Sequence, residues 1–303
     1  MPELVAGWVT RFQSGFYTVL TEAGPLTCHL RGRLKRRTVQ GDIIAIGDRV
    51  KISLQPDGKG MIEQIEPHTN ALVRLDPTPR GDYRQILLAN PDQVLLVFAC
   101  AQPEPNRRML DRFLVICEKN EIPPVIVFNK IDLVGLENAR SRFSVYERLG
   151  YRVLFTSVKQ RVGLEELRQS LTGKISGLAG PSGVGKSSLL NAIQPELGLA
   201  VREVSQFNAK GRHTTVVREM FPLEAGGFVA DLPGLRSLVL WDTEPEELDG
   251  YFPELRERVA DCQFNDCTHQ NEPGCAIRRA LATGEVDAER YQSYLRLRFG
   301  RED

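Results

Sequence analysis

Gly180-Pro181-Ser182-Gly183-Val184-Gly185-Lys186-Ser187 fits the pattern GxxxxGK[ST], and the residues on either side decide what it means. The segment 175–179 before it reads as a strand running into the glycine loop, and residues 188–193, opening with Ser188, read as a helix. In a strand–loop–helix setting, glycines let successive backbone N–H groups turn toward a β-phosphate, and the helix N-terminus adds its dipole. Lys186 is then placed to reach the β and γ oxygens and Ser187 to ligate Mg²⁺. Strands and helices alternate around this loop. Residues 94–101 form a continuous apolar strand, and Met109, Leu110, Phe113, Leu114, Ile116 and Cys117 recur at helical spacing after it. A buried strand at 125–128, an amphipathic stretch to Leu149, a strand at 152–155 and a helix at 164–171 follow. The alternation predicts an α/β domain whose parallel sheet is covered on both faces.

Asn129-Lys130-Ile131-Asp132 directly follows the strand 125–128, at the carboxyl end where open α/β sheets bind ligands. It resembles the NKxD base-recognition motif of the translation-factor-like GTPases. A carboxylate at Asp132 can accept both N1–H and the exocyclic N–H of guanine, whereas adenine presents no such pair. Under that resemblance Lys130 lays its alkyl stem over the ring, and Asn129 orients the loop and approaches the base. Thr156-Ser157, after the strand ending at Phe155, resembles the companion loop that supports the base through backbone N–H groups. Asp231-Leu232-Pro233-Gly234 ends the strand 227–230 and resembles the DxxG element, whose acid holds Mg²⁺ through water and whose glycine N–H senses the γ-phosphate. Gly211-Arg212-His213-Thr214-Thr215 occupies the place of a first switch. One of Thr214 and Thr215, with Thr215 favoured, is expected to complete the Mg²⁺ shell. Leu235 stands where many GTPases carry a water-orienting glutamine, which makes His213 the candidate to orient water or accept its proton.

The order of these motifs is unusual. GTPases ordinarily run from phosphate loop through switch threonine and DxxG to NKxD and the base-support loop, but here Asn129 and Thr156 precede Gly180. The domain reads as circularly permuted, which a parallel sheet tolerates because the joined positions lie in surface loops.

Two further units flank it. Residues 4–10, 15–21, 26–30, 43–45, 49–54 and 61–65 read as short strands divided by turns, the size of a small barrel of the oligonucleotide-binding type. Arg31, Arg33, Lys35, Arg36 and Arg37 crowd into a stretch without an acid, suited to phosphates. Near the other end, Cys262, Cys267, His269 and Cys275 offer three thiolates and an imidazole within fourteen residues, the donor set of one closed, structural Zn²⁺ site. The intervening segment is too polar to bury itself, so a metal would supply its folding energy. Leu281 and the series Tyr291, Tyr294, Leu295, Leu297 and Phe299 predict one or two terminal helices. The expected units are 1–70, 71–240 and 241–303.

Composition agrees with a folded, multidomain chain. At 303 residues two or three domains are expected, and 42% hydrophobic with 26% charged residues excludes a disordered or fibrous protein. No apolar run exceeds eight residues, against about 20 for a membrane span, and the N-terminus lacks a secretory signal; the cytoplasm is the expected compartment. Cys28, Cys100 and Cys117 are then packed thiols rather than disulfides. The charges balance, 39 basic against 39 acidic, so the molecule as a whole is no general polyanion binder. His29 and His68 carry no evident chemistry.

Barrel, permuted motif series and Cys-x4-Cys-x-His-x5-Cys cluster together resemble the ribosome small-subunit-dependent GTPase A family, RsgA. The resemblance implies hydrolysis of GTP to GDP stimulated by the 30S subunit, late in that subunit's maturation. It further implies contact with 16S rRNA near the decoding region through the barrel and the zinc domain, and a soluble monomer. A GTP-regulated RNA-binding module with incidental hydrolysis is the alternative, and a P-loop ATPase or kinase is disfavoured by the NKxD motif.

Overall fold

The computed structural model describes residues 4–13, 15–35, 41–78, 81–199, 218–232 and 243–300. Strands β1 (Leu4–Gln13), β2 (Phe16–Thr21), β3 (Gly24–Leu30), β4 (Arg49–Leu54) and β5 (Gly60–Ile65) close on themselves in the order β1-β2-β3-β5-β4-β1. Only the β3–β5 pair is parallel. This is the five-stranded barrel expected of an oligonucleotide-binding fold. Val9, Val19, Cys28, Val50, Ile52 and Ile62 fill it, each wholly buried. A Cβ at Gly60 would lie 2.4 Å from Cys28 Sγ, so glycine there permits the tight interior. A four-residue helix, α1 (Gly32–Lys35), follows β3.

The expected strand 43–45 is absent. Asp48 Oδ2 accepts the Ala45 N–H at 2.7 Å, while Asp42 accepts from Tyr83 Oη (2.9 Å) and the Ile86 N–H (3.0 Å). Side-chain acceptors therefore take over donors that a ladder would have used. Ile44 remains buried against the barrel interior, so its hydrophobicity reflected packing rather than pairing. A hairpin that periodicity did not single out, β6 (Ala71–Thr78) and β7 (Gly81–Ala89), then leads into the α/β domain.

That domain comprises β8 (Gln93–Ala99), α2 (Arg107–Lys119), β9 (Pro124–Asn129), α3 (Leu136–Arg148), β10 (Arg152–Phe155), α4 (Leu164–Leu171), β11 (Ile175–Ala179), α5 (Lys186–Ile193), β12 (Arg218–Pro222) and β13 (Phe228–Asp231). Its sheet runs β10-β9-β8-β11-β13-β12, parallel except for β12. Every residue of β8 is buried. Leu96 and Phe98 pack on one side with α2 and α3, and Leu95 and Val97 on the other with α4 and α5. Cys100 and Cys117 are buried free thiols, like Cys28. The barrel is joined to this sheet edge to edge: β1 pairs antiparallel with β12 through Arg11↔Glu219 and Phe12↔Arg218.

The C-terminal unit holds a 3₁₀ turn Pro245–Tyr251, α6 (Pro253–Arg256), α7 (Ala276–Thr283) and α8 (Ala288–Arg298). It is fastened to α2 by Arg290, only 2% exposed. The guanidinium reaches Asp111 Oδ1 at 2.8 Å and both Glu254 oxygens at 2.7 and 3.1 Å, and lies 4.6 Å from the Phe252 ring centroid. Ser293 Oγ (2.5 Å) and Tyr146 Oη (3.1 Å) donate to the same Asp111 carboxylate. Burial pushes the Asp111 carboxyl up and Arg290 opposes the rise. A buried charge cluster of this kind is tolerable only because its polar atoms are paired.

Candidate functional site

The phosphate-loop glycines are required by their surroundings. Gly180 has φ +145°, and a Cβ there would stand 2.0 Å from the Val97 carbonyl oxygen of the neighbouring strand. Gly185 has φ +96°, and its Cβ would lie 2.5 Å from Asn129 Nδ2. The loop thus leaves β11 where a side chain would collide with β8, and enters α5 against the base-recognition loop. Val184, 1% exposed, anchors its middle in the core. Lys186, the first residue of α5, curls over the loop and donates to the Gly180 and Pro181 carbonyls at 2.9 Å each. Ser187 and Ser188 follow in the first helical turn, and Ser182 and Gly183 form the outer rim.

Asn129 ends β9 at 2% exposure. Its Nδ2 donates to the Val184 carbonyl at 2.8 Å, and its Oδ1 accepts from Thr156 Oγ1 at 3.2 Å. One side chain thereby ties together three loops from distant parts of the chain. Lys130 adopts the left-handed conformation, φ +63°, which carries its side chain back across the sheet end. Its Nζ donates to the Gly183 carbonyl at 2.7 Å and to that of Gln102. Desolvation lowers its pKa, with Asp132 acting the other way. Ile131 is a core plug whose N–H donates to the Thr156 carbonyl at 3.2 Å. Ser157 Oγ donates to Asp132 Oδ1 at 2.6 Å and accepts the Gln160 N–H at 3.1 Å, fixing the carboxylate's direction. Thr156 and Ser157 are themselves fully buried.

Asp231 closes the arrangement at the end of β13, paired with Leu178. Its side chain is open on one side, yet the flanking strands desolvate the carboxyl and raise its pKa, and Lys186 pulls the other way. Asn129, Thr156, Gly180 and Asp231 therefore all lie at the carboxyl ends of parallel strands in one sheet, the edge where such sheets bind ligands. Residues 211–215, with His213, Thr214 and Thr215, and Pro233, Gly234 and Leu235 lie outside the described residues.

The basic stretch is less available than its composition suggests. Arg31 ion-pairs with Glu63, and Arg33 Nη2 donates to the Glu63 carbonyl at 3.1 Å. Arg36 and Arg37 lie outside the described residues. His68 also has a partner: its Nδ1 is 2.9 Å from Oδ1 of the fully buried Asp48, which raises the imidazole pKa.

In the C-terminal unit the donor atoms of Cys262, Cys267, His269 and Cys275 lie within 4.8 Å of one another. His269 Nδ1 faces Cys262 Sγ at 3.6 Å and Cys275 Sγ at 3.4 Å. Zinc bonds of about 2.3 Å to sulfur and about 2.0 Å to nitrogen in a tetrahedron place nitrogen and sulfur roughly 3.5 Å apart, so the spacing suits that ion. The other imidazole nitrogen, Nε2, lies 3.2 Å from Asp249 Oδ2, and Tyr291 Oη donates to the His269 carbonyl at 2.7 Å. A carboxylate behind a ligating histidine fixes its tautomer and sharpens its donor nitrogen. Asp249 was not among the expected site residues. It sits in the stretch 242–261, where eight acids against two bases read as surface charge.

Comparison with known proteins gives one consistent result. The family model described as RsgA GTPase matches residues 65–241, and that described as RsgA N-terminal domain matches residues 6–62. A small ribosomal subunit biogenesis GTPase RsgA from Gemmatimonas aurantiaca is 45% identical, with 98% of each chain covered. One of the same name from Caldanaerobacter subterraneus is 41% identical over 97% of this chain and 95% of its own. Among solved structures, YjeQ from Thermotoga maritima superposes with a TM-score of 0.78 at 37% identity, covering 98% of both chains. YloQ, described as a circularly permuted GTPase, superposes at 0.74 with 33% identity, covering 99% of this chain and 97% of its own.

Proposed function

Because the chain belongs to the RsgA GTPase family, we propose that it hydrolyses GTP to GDP and phosphate in response to the small ribosomal subunit, late in that subunit's maturation. The observation that carries the reading is the 2.8 Å hydrogen bond from Asn129 to Val184, which joins a base-recognition loop to a phosphate loop that follows it in the chain.

Asp132, aimed by Ser157, accepts the two guanine N–H groups, and the 156–157 loop supports the base. Lys186 exchanges the Gly180 and Pro181 carbonyls for the β and γ phosphate oxygens, a stronger, charge-assisted partnership. Ser187, Thr215 and, through water, Asp231 hold Mg²⁺, with Thr214 as the alternative switch ligand. When bound, that ion neutralises charge developing between the β and γ phosphates. His213 orients the attacking water, and Gly234 reports the γ-phosphate. Cys262, Cys267, His269 and Cys275 hold one structural zinc, with no part in the chemistry. The protein acts as a cytoplasmic monomer, and the barrel and the zinc unit grip 16S rRNA near the decoding region.

The test is GTP turnover of the full chain with and without purified small subunits. Stimulation of at least tenfold is expected, and its loss in His213→Ala with GTP affinity unchanged. Equal turnover in both conditions would favour a GTP-regulated RNA-binding module instead.

A further inference from the structure

Residues 100–104, between β8 and α2, carry no motif, yet they meet the base-recognition loop twice. The Cys100 N–H donates to the Asn129 carbonyl at 2.8 Å. Two residues on, the Gln102 carbonyl accepts from Lys130 Nζ. Gln102 holds φ +50°, a left-handed conformation that a residue other than glycine keeps only where its surroundings enforce it. Part of that enforcement comes from α3. Arg142 Nη1 donates to the Cys100 carbonyl at 3.3 Å, and Nη2 donates to Glu104 Oε2 at 3.1 Å. One guanidinium therefore grips the segment two residues before Gln102 and two residues after it.

Arg142 has a fixed origin from which to do so. Its neighbour Phe143 is wholly buried and stacks on Phe128, ring centroids 3.8 Å apart, and Phe128 directly precedes Asn129. The Arg142 guanidinium lies 5.4 Å from the Phe143 ring, and Arg107 donates to the Arg142 backbone carbonyl. Glu104 is 76% exposed, so its ion pair with Arg142 contributes little by itself, and an ordinary surface arginine would stop there. The bond to Cys100 reaches a buried residue instead. Burial pushes the Cys100 thiol up to about 11, with Arg142 pulling it down and Asp132 pushing it further up. The guanidinium and the base-recognising carboxylate thus act on one buried atom. Lys130 is where the grip has its consequence. Its stem is four flexible carbons, and its ammonium finds two acceptors, the carbonyls of Gly183 and Gln102. Two acceptors fix the path of the stem across the sheet end, and a shifted Gln102 would leave only one of them in place.

We propose that Arg142 is a positioning residue for guanine: it holds the Gln102 carbonyl where that oxygen lays the Lys130 stem across the base. The proposal rests on the reading of Lys130 as the side chain that covers guanine, and adds to it a residue of a different helix. Isothermal titration of the full chain with GTP and with inorganic triphosphate, both with Mg²⁺, tests it on the parent, Arg142→Met, Lys130→Ala and the double variant. Arg142→Met keeps an apolar stem beside Phe143 and removes only the grip. It should weaken GTP about fivefold and change triphosphate binding less than twofold. In the Lys130→Ala background the same substitution should change GTP binding less than twofold, because the residue through which it acts is gone. A general loosening of α3 would weaken GTP in both backgrounds. Arg142→Lys, a point donor in place of a fork, should bind GTP between the parent and Arg142→Met. GTP binding by Arg142→Met within twofold of the parent, an equal loss of triphosphate, or the same fivefold loss in the Lys130→Ala background would overturn the proposal. Lys130→Ala alone separates the two readings. If it weakens GTP while Arg142→Met does not, only the positioning role falls. If it binds GTP as the parent does, the base-covering reading of Lys130 falls and takes the positioning role with it.

Discussion

The nucleotide edge and the cysteine–histidine unit both gather polar groups from separated stretches of chain, but they satisfy them in opposite ways. At the nucleotide edge the cations are already partnered by backbone carbonyls: Lys186 by Gly180 and Pro181, Lys130 by Gly183 and Gln102. Those are neutral acceptors, weaker partners for an ammonium than a phosphate oxygen would be, so under the proposed reading Lys186 can exchange its own for the nucleotide. In the C-terminal unit three thiols and an imidazole face one another around a single point, and the backbone N–H of Arg278 stands 3.5 Å from the Cys275 sulfur. The first arrangement is built for turnover and the second for permanence.

If these four side chains hold zinc as proposed, its removal should have the largest effect, and a local one. Structural zinc contributes on the order of 10 kcal/mol to folding of a small unit. Cys267→Ser, or prolonged chelation, should abolish ordered packing of α7 and α8, read by hydrogen exchange at residues 276–298. GTP affinity should change less than threefold. Simultaneous loss of GTP binding would mean that the Arg290 cluster couples the two regions, and the contrast would fail.

A finer probe is the carboxylate behind His269, the proposed zinc ligand. Asp249→Asn keeps the size but weakens the acceptor facing His269 Nε2, and should lower zinc affinity by about 10- to 100-fold in competition with a chromogenic chelator. Unchanged affinity would make Asp249 merely a surface acid.

The smallest effect concerns His68. Its pKa is raised in the folded chain, chiefly by the hydrogen bond to buried Asp48. Its contribution to stability is thus complete below the unfolded value of about 6.5 and is lost as pH climbs through the higher folded value. Between pH 6 and 8 the melting temperature should fall by about 1–3 °C more in the parent than in His68→Gln, by differential scanning calorimetry. Parallel curves would dismiss the contribution.

Much of this was legible in sequence because the motifs sit where strands end, and a buried strand such as β8 or β9 announces itself by an unbroken apolar run. The cysteine–histidine spacing was legible for a similar reason, since its donors are close in the chain. What escaped reading depended on partners far away. Asp249 becomes meaningful only when the 3₁₀ turn 245–251 lies behind His269, and Arg31 and Arg33 lose their availability only when β5 brings Glu63 beside them. The run 43–45 was apolar for the sake of Ile44's packing, and no local signal separates that from a strand. The polar strand β12, which joins barrel to central sheet, has too little periodicity to reveal itself.

The central claim is that loops in permuted order close around guanine through Asp132. Isothermal titration of GTP and XTP against the parent chain and Asp132→Asn tests it most directly. The account predicts a strong GTP preference in the parent and a weakening of GTP of about 10- to 100-fold in the variant, with XTP gaining in its place. An Asp132→Asn chain that still prefers GTP to the same degree would contradict it.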